Sequence, residues 1–165
     1  MTEVHAVTAV IALGSNLGDR QATLKSAIAE LDGLPESRIQ AISSWHGTVA
    51  LTLAGADPQK PHYLNGVALL QTRLDPYTLL DGLQAIEHHH GRERTVRWGD
   101  RTLDLDLIAY GELEIDSPEL HVPHPRAHER DFVLVPWLEV QPDARLVGHG
   151  DAATLLAALR AGGLP

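Results

Sequence analysis

Cysteine is missing from this chain of 165 residues, which removes disulfides, zinc–thiolate sites and thiol nucleophiles together. No apolar run approaches the roughly 20 residues that a membrane-spanning helix needs. The start, Met1-Thr2-Glu3-Val4-His5, lacks the basic opening and apolar centre of a signal peptide, so a cytoplasmic location is expected. Positive charge is scarce as well: 13 Lys plus Arg stand against 22 Asp plus Glu, a formal net charge of -9. A field of that sign repels a nucleic-acid backbone. No internal repeat or linker-like tract divides the sequence, so residues 1–165 are expected to form one domain. A domain of this size buries roughly 70% of the surface its unfolded chain exposes, enough to dispense with a covalent staple.

The residues that are present fall into an ordered series. Residues 4–13 carry little charge and many β-branched side chains, as a buried strand does. Gly14-Ser15-Asn16-Leu17-Gly18-Asp19 breaks that run, and Asp19 is placed to N-cap a helix with an apolar stripe of Leu24, Ala27, Ile28 and Leu31. Gly33 and Pro35 stop it. Residues 38–50 and 63–73 read as two further strands, separated by a loop broken at Gly55, Pro58 and Pro61. Asp75-Pro76 opens a second helix that turns Leu79, Leu80, Leu83 and Ile86 inward and ends near Gly91. A fourth strand over 103–110 precedes a proline-dense stretch, an apolar segment over 132–140 interrupted by Pro136, and an alanine-rich helix over about 151–161. The order β-α-β-β-α-β predicts an α+β fold: a ferredoxin-like antiparallel sheet with both helices on one face, plus a short C-terminal helix.

The sharpest chemical feature is Asp104-Leu105-Asp106. Alternation along a strand turns both carboxylates to one face, roughly 6.6 Å apart along the backbone, while Leu103, Leu105 and Leu107 face the core. Two carboxylates held close repel one another unless a cation lies between them, and hard oxygen donors of this kind suit Mg²⁺ with substrate phosphates. An edge strand showing two solvated acids is the plainer alternative. Arg92, Arg94, Arg97 and Arg101 gather four of the 13 basic residues into the ten positions just before the pair, which favours the metal reading. Val122-Pro123-His124-Pro125-Arg126 forms a second constellation, in which two prolines stiffen the chain around His124. His88-His89-His90 is read as structural, because consecutive helical positions point in different directions and cannot share one ion. The Gly14–Asp19 turn lacks the Lys of a P-loop, and no Gly-x-Ser-x-Gly elbow exists for a serine hydrolase.

Gly14–Asp19, Tyr63-Leu64-Asn65, Gly91-Arg92-x-Arg94, Arg97–Leu107 and Val122–Arg126, in that order, resemble the 6-hydroxymethyl-7,8-dihydropterin pyrophosphokinase family from about residue 8 to residue 140. The resemblance implies transfer of a pyrophosphoryl group from ATP to the pterin hydroxymethyl oxygen, leaving AMP, in folate biosynthesis. It assigns two Mg²⁺ ions to Asp104 and Asp106, and the transferring phosphates to Arg92 and Arg101. Glu87, Arg94, Trp98, His124 and Arg130 would contact ATP. Thr48, Tyr63, Asn65 and Phe132 would contact the pterin, with its ring stacked between Phe132 and Tyr63 and with Gly14 close by. The partners implied are the two small substrates, with no nucleic acid or membrane, and the chain is expected to be a monomer. Val49–Gly55 departs from the family's Pro and Gly pattern. Two other classes fit parts of the pattern. A metal-dependent nucleotidyltransferase would release pyrophosphate and not AMP, and a ferredoxin-like binding module would have no use for carboxylates beside an arginine cluster.

Overall fold

The computed structural model describes residues 5–16, 19–48, 51–52, 55–56, 63–91 and 103–162. The cluster Arg92, Arg94, Arg97 and Arg101, together with Trp98, lies outside the described residues, as does the side chain of Thr48.

The β-branched opening run forms β1 (Val7–Ser15), and Asp19 caps α1 (Arg20–Asp32) by accepting a hydrogen bond from the Ala22 N–H at 3.1 Å. The strand expected over 38–50 is broken into β2 (Ser37–Ile42) and β3 (His46–Thr48). At the break, the Ser43 N–H donates to the Val67 carbonyl at 2.9 Å, and the Val67 N–H donates to Ser43 Oγ at 2.9 Å. A serine hydroxyl thus replaces a backbone carbonyl in the ladder and satisfies an otherwise stranded buried donor. The loop holds a pair of two-residue strands, β4 (Leu51–Thr52) and β5 (Gly55–Ala56), before the long β6 (Tyr63–Thr72). Helix α2 (Pro76–His89) begins as expected, with Asp75 accepting from the Tyr77 and Thr78 N–H groups at 3.0 Å.

After β7 (Asp104–Tyr110) comes a small hairpin of β8 (Ile115–Asp116) and β9 (His121–Val122), then a single 3₁₀ turn at Ala127–Glu129. The segment around Pro136 is α3 (Asp131–Val140); a further hairpin, β10 (Arg145–Leu146) and β11 (Gly150–Asp151), leads into α4 (Ala152–Ala161). Pro136 removes only the N–H that would meet the Phe132 carbonyl, and its buried ring adds to the apolar face of α3.

The main sheet runs β2-β6-β1-β7 in antiparallel pairs, with β3 continuing the β2 edge against β6. This is the strand order of a ferredoxin-like sheet. Ala9, Ile11, Leu13, Leu105 and Leu107 join Leu24, Leu31, Leu79 and Leu83 in one core cluster beneath α1 and α2. Val10, Val67, Leu69 and Ile108 join Val133, Leu134, Trp137 and Leu156 in a second, beneath α3 and α4. The second face is therefore covered too. A bulge explains one irregularity: Val10 pairs with Ala109 and Ile11 with Leu107, leaving Ile108 as the extra residue. Its carbonyl accepts the His124 N–H at 2.9 Å, which ties the proline-flanked histidine to the sheet.

Candidate active site

The site is built from one cross-strand row. Strand register places Asn65 opposite Gly14, and Gly14 opposite Asp104, while His46 pairs with Asn65 on the outer side. One step along, Asp106 pairs with Ala12. Residues two apart share a face, so Tyr63, Asn65, Gly14, Ala12, Asp104 and Asp106 all belong to the α3 side of the sheet. The N-terminal turn of α3 lies across from this row, and between them is a cavity of about 510 Å³. Tyr63, Asn65, Gly14, Asp104, Asp106, Arg130 and Phe132 line it.

Each wall has a local cause. Gly14 is needed because a Cβ there would sit 2.9 Å from Asn65 Oδ1 and 3.8 Å from Tyr63 Cδ1. Phe132 stands in the first turn of α3 and is 37% exposed, an unusual place for the chain's single phenylalanine unless something stacks on it. The Arg130 guanidinium lies 5.7 Å from the centre of that ring, as a cation–π contact does. Among the described residues no side chain caps α3, and its N-terminal turn lines the cavity beside Arg130, with Asp131 offsetting part of its positive end. The two carboxylates are partly buried, whereas Leu103, Leu105 and Leu107 are buried on the opposite face. Asp104 and Asp106 therefore point the same way, as the alternation predicts.

His124 flanks the carboxylate end. Its Nδ1 accepts a hydrogen bond from the Arg126 N–H at 3.2 Å, which leaves the proton on Nε2. Burial holds the imidazole below its ordinary pKa; the Asp106 charge opposes this, and Arg130, Arg126 and His121 reinforce it. A neutral ring with an Nε2–H donor follows at pH 7.

Glu87, expected among the ATP contacts, is 5% exposed and lies beneath the strand: its Oε2 accepts the Leu105 N–H at 2.8 Å. From the α2 side the carboxylate braces the backbone between Asp104 and Asp106. Sequence reasoning also missed the support around β3. Ser44 N–H, Ser44 Oγ and His46 Nε2 meet the Glu139 carboxylate at 2.6, 2.8 and 3.0 Å, pinning β3 to α3. Trp45 lies over Gly66, where an added Cβ would come within 2.4 Å of its ring. Asn16, in the turn after β1, is 2% exposed, and its Oδ1 has no hydrogen-bond partner among the described residues. The expectation for the histidine tract needs correction. His89 and His90 converge on Glu30, because His90 is the C-cap (φ -95°, ψ 19°) and has left the helical repeat.

Comparison with known proteins adds a family. Residues 10–142 match the sequence model of 7,8-dihydro-6-hydroxymethylpterin-pyrophosphokinase (HPPK). A Pseudomonas aeruginosa 2-amino-4-hydroxy-6-hydroxymethyldihydropteridine pyrophosphokinase is 45% identical over 148 residues, covering 90% of this chain and 89% of the relative. The Bacillus subtilis enzyme of that name is 42% identical over 132 residues, 80% of this chain and 77% of its own. Among solved structures, an HPPK-DHPS in complex with substrates superimposes with a TM-score of 0.72 at 11% identity, over 93% of this chain and 43% of that one. Wild-type Plasmodium falciparum HPPK-DHPS with pterin and p-hydroxybenzoate gives 0.69 at 13%, over 96% and 44%. This chain spans less than half the length of those two-part proteins, and at such identities they show the fold alone.

Proposed function

Because the chain belongs to the 7,8-dihydro-6-hydroxymethylpterin-pyrophosphokinase family, we propose that the cavity between the Asn65–Gly14–Asp104 row and α3 is where its reaction occurs. The chain is an ATP-dependent diphosphokinase of folate biosynthesis. It transfers pyrophosphate from ATP to 6-hydroxymethyl-7,8-dihydropterin and releases AMP. The observation that carries the placement is the register itself, which puts an amide, a bare glycine and a carboxylate side by side across three strands.

We assign the pterin to the Tyr63–Asn65–Phe132 end. A flat, polar heterocycle needs an aromatic face to stack on and a fixed amide to read its edge, and Phe132, Tyr63 and Asn65 supply those groups. Thr48, opposite Tyr63 in β3, is kept in the same role. The triphosphate belongs on the Asp104–Asp106 side, flanked by the His124 Nε2–H, while Arg130, which also touches the Phe132 ring, stands between the two substrates and offsets negative charge. Arg92, Arg94, Trp98 and Arg101 are proposed to join them on the strength of the family pattern.

Asp104 and Asp106 fit a hard divalent cation: two oxygen donors on one strand face, partly buried and opening into a cavity wide enough for phosphate. We propose that they hold two Mg²⁺ ions, which when bound neutralise and align the ATP phosphates. The rest of the work falls to the chain. Gly14 lets the acceptor and the phosphates approach along a common line, and Arg130 offsets charge on the migrating group. Glu87 holds the Leu105 backbone so that both carboxylates keep one orientation. The reading also takes the chain as a single domain that acts as a monomer in the cytoplasm. Among the described residues, no helix is long and apolar enough to cross a membrane.

The test is incubation of the purified chain with ATP, Mg²⁺ and hydroxymethyl dihydropterin. AMP and pterin diphosphate in equal amounts are expected. Release of free pyrophosphate with a nucleotidylated product would overturn the reading in favour of a nucleotidyltransferase.

A further inference from the structure

Behind the sheet, away from the cavity, a second group of ligating side chains meets. Glu30, near the end of α1, sends one carboxylate oxygen to His89 Nδ1 and the other to His90 Nε2, at the end of α2. The three donor atoms lie within 4.8 Å of one another. Around a tetrahedral ion with bonds of about 2.0–2.2 Å, donors stand roughly 3.3–3.6 Å apart, so side-chain rotation alone can close the set. His90 is mostly buried, while His89 is 74% exposed, which leaves a fourth position open to water. Burial pushes the Glu30 carboxyl up, but the hydrogen bonds from His89 and His90 outweigh it and hold the group below its ordinary pKa.

We propose that Glu30, His89 and His90 form a binding site for Zn²⁺ that ties the end of α2 to α1. Two imidazoles and one carboxylate are borderline donors that select Zn²⁺ over Mg²⁺, whereas Asp104 and Asp106 on the opposite face offer oxygen only. The site is separate from the catalytic cavity and needs nothing from it.

The experiment is calorimetric titration of the EDTA-stripped full chain with Zn²⁺ alone, alongside thermal unfolding with and without the metal. One Zn²⁺ per chain with a Kd at or below about 10 µM is expected, raising the Tm as a ligand of the native state does. Glu30→Gln and His89→Ala should each weaken binding at least about tenfold, since each removes a direct ligand. His89 is exposed enough that its truncation leaves folding intact, which the unliganded Tm verifies. A double Asp104→Asn, Asp106→Asn variant should bind Zn²⁺ as the wild type does, and Co²⁺ in place of Zn²⁺ should give visible absorption that Glu30→Gln abolishes. The proposal is overturned if wild-type binding is weaker than about 10 µM, or if Glu30→Gln and His89→Ala leave it unchanged. It is equally overturned if binding disappears only with the aspartate pair.

Discussion

Replacing Gly14 with alanine puts one methyl group where the pterin and phosphate ends of the cavity meet. On the existing backbone its Cβ lies 2.9 Å from Asn65 Oδ1, 3.8 Å from Tyr63 Cδ1 and 3.9 Å from the Leu64 carbonyl oxygen. Only the first contact is too close. Gly14 cannot retreat, because it is paired on both sides in the middle of the sheet. The Asn65 amide must move instead, and at 8% exposure it has little room. Overpacking of this kind costs about 1–3 kcal/mol. If the whole displacement falls on the group that reads the pterin, kcat/KM for the pterin drops roughly 5- to 150-fold while KM for ATP stays within about twofold. The assay is AMP release at varied pterin with saturating ATP and Mg²⁺, then at varied ATP with saturating pterin, with the Tm measured on the same preparation. A wild-type pterin KM beside a wild-type Tm would refute the geometry. Loss of ATP affinity with pterin binding intact would refute the division of the cavity into two ends.

The other expectations come from the supports of the same site. In Gly66→Ala the new Cβ would come within 2.4 Å of two Trp45 ring carbons and 3.0 Å of Ser43 Oγ, so the ring must leave its place. A loss of about 2–3 kcal/mol, or roughly 4–12 °C in Tm, should follow, and an unchanged Tm would contradict that packing. Phe132→Ala truncates a residue that is already 37% exposed, so stability should change by less than about 1 kcal/mol while the pterin KM rises about tenfold. An equal rise in the KM for ATP would contradict the stacking role. Hydrogen bonds from the Ser44 N–H, His46 and the Ser44 hydroxyl hold Glu139 below the usual carboxylate range. The unfolded chain therefore takes up this proton first as pH falls below about 4.5, and the stabilisation is complete above that value and lost in acid. Glu139→Gln should cost about 1 kcal/mol at pH 7, after allowance for solvent screening, and less at pH 3, by urea unfolding. Equal differences at the two pH values would contradict the argument.

How much could be read from the sequence depended on how local the cause was. The caps at Asp19 and Asp75 act over three residues, and Asp104-Leu105-Asp106 alternates by the pleat alone, so each was legible. The order of strands and helices also sufficed for the sheet topology. The features that escaped depend on distant partners. Period-two alternation from Leu103 would turn Ala109 toward α1 and α2, yet the Ile108 bulge against β1 sends it to the other face. Nothing near Ser43 announces that its hydroxyl will serve Val67, 24 positions away. Pro136 reads as an interruption, but the burial of α3 on the sheet outweighs one missing helical hydrogen bond. The histidine tract misled because helical spacing was applied one residue too far; His90 is already past the helix.

Everything turns on whether the paired carboxylates of β7 act as one cation-holding unit facing the cavity. The direct measurement is the rate of AMP formation by Asp104→Asn and Asp106→Asn as a function of Mg²⁺ concentration, with thermal unfolding as the control for folding. Each variant is expected to lose at least about 1,000-fold in kcat, undiminished by excess Mg²⁺, while the Tm stays level or rises because like charges no longer repel. Either variant turning over within about tenfold of the wild-type rate at the same Mg²⁺ concentration would contradict the account.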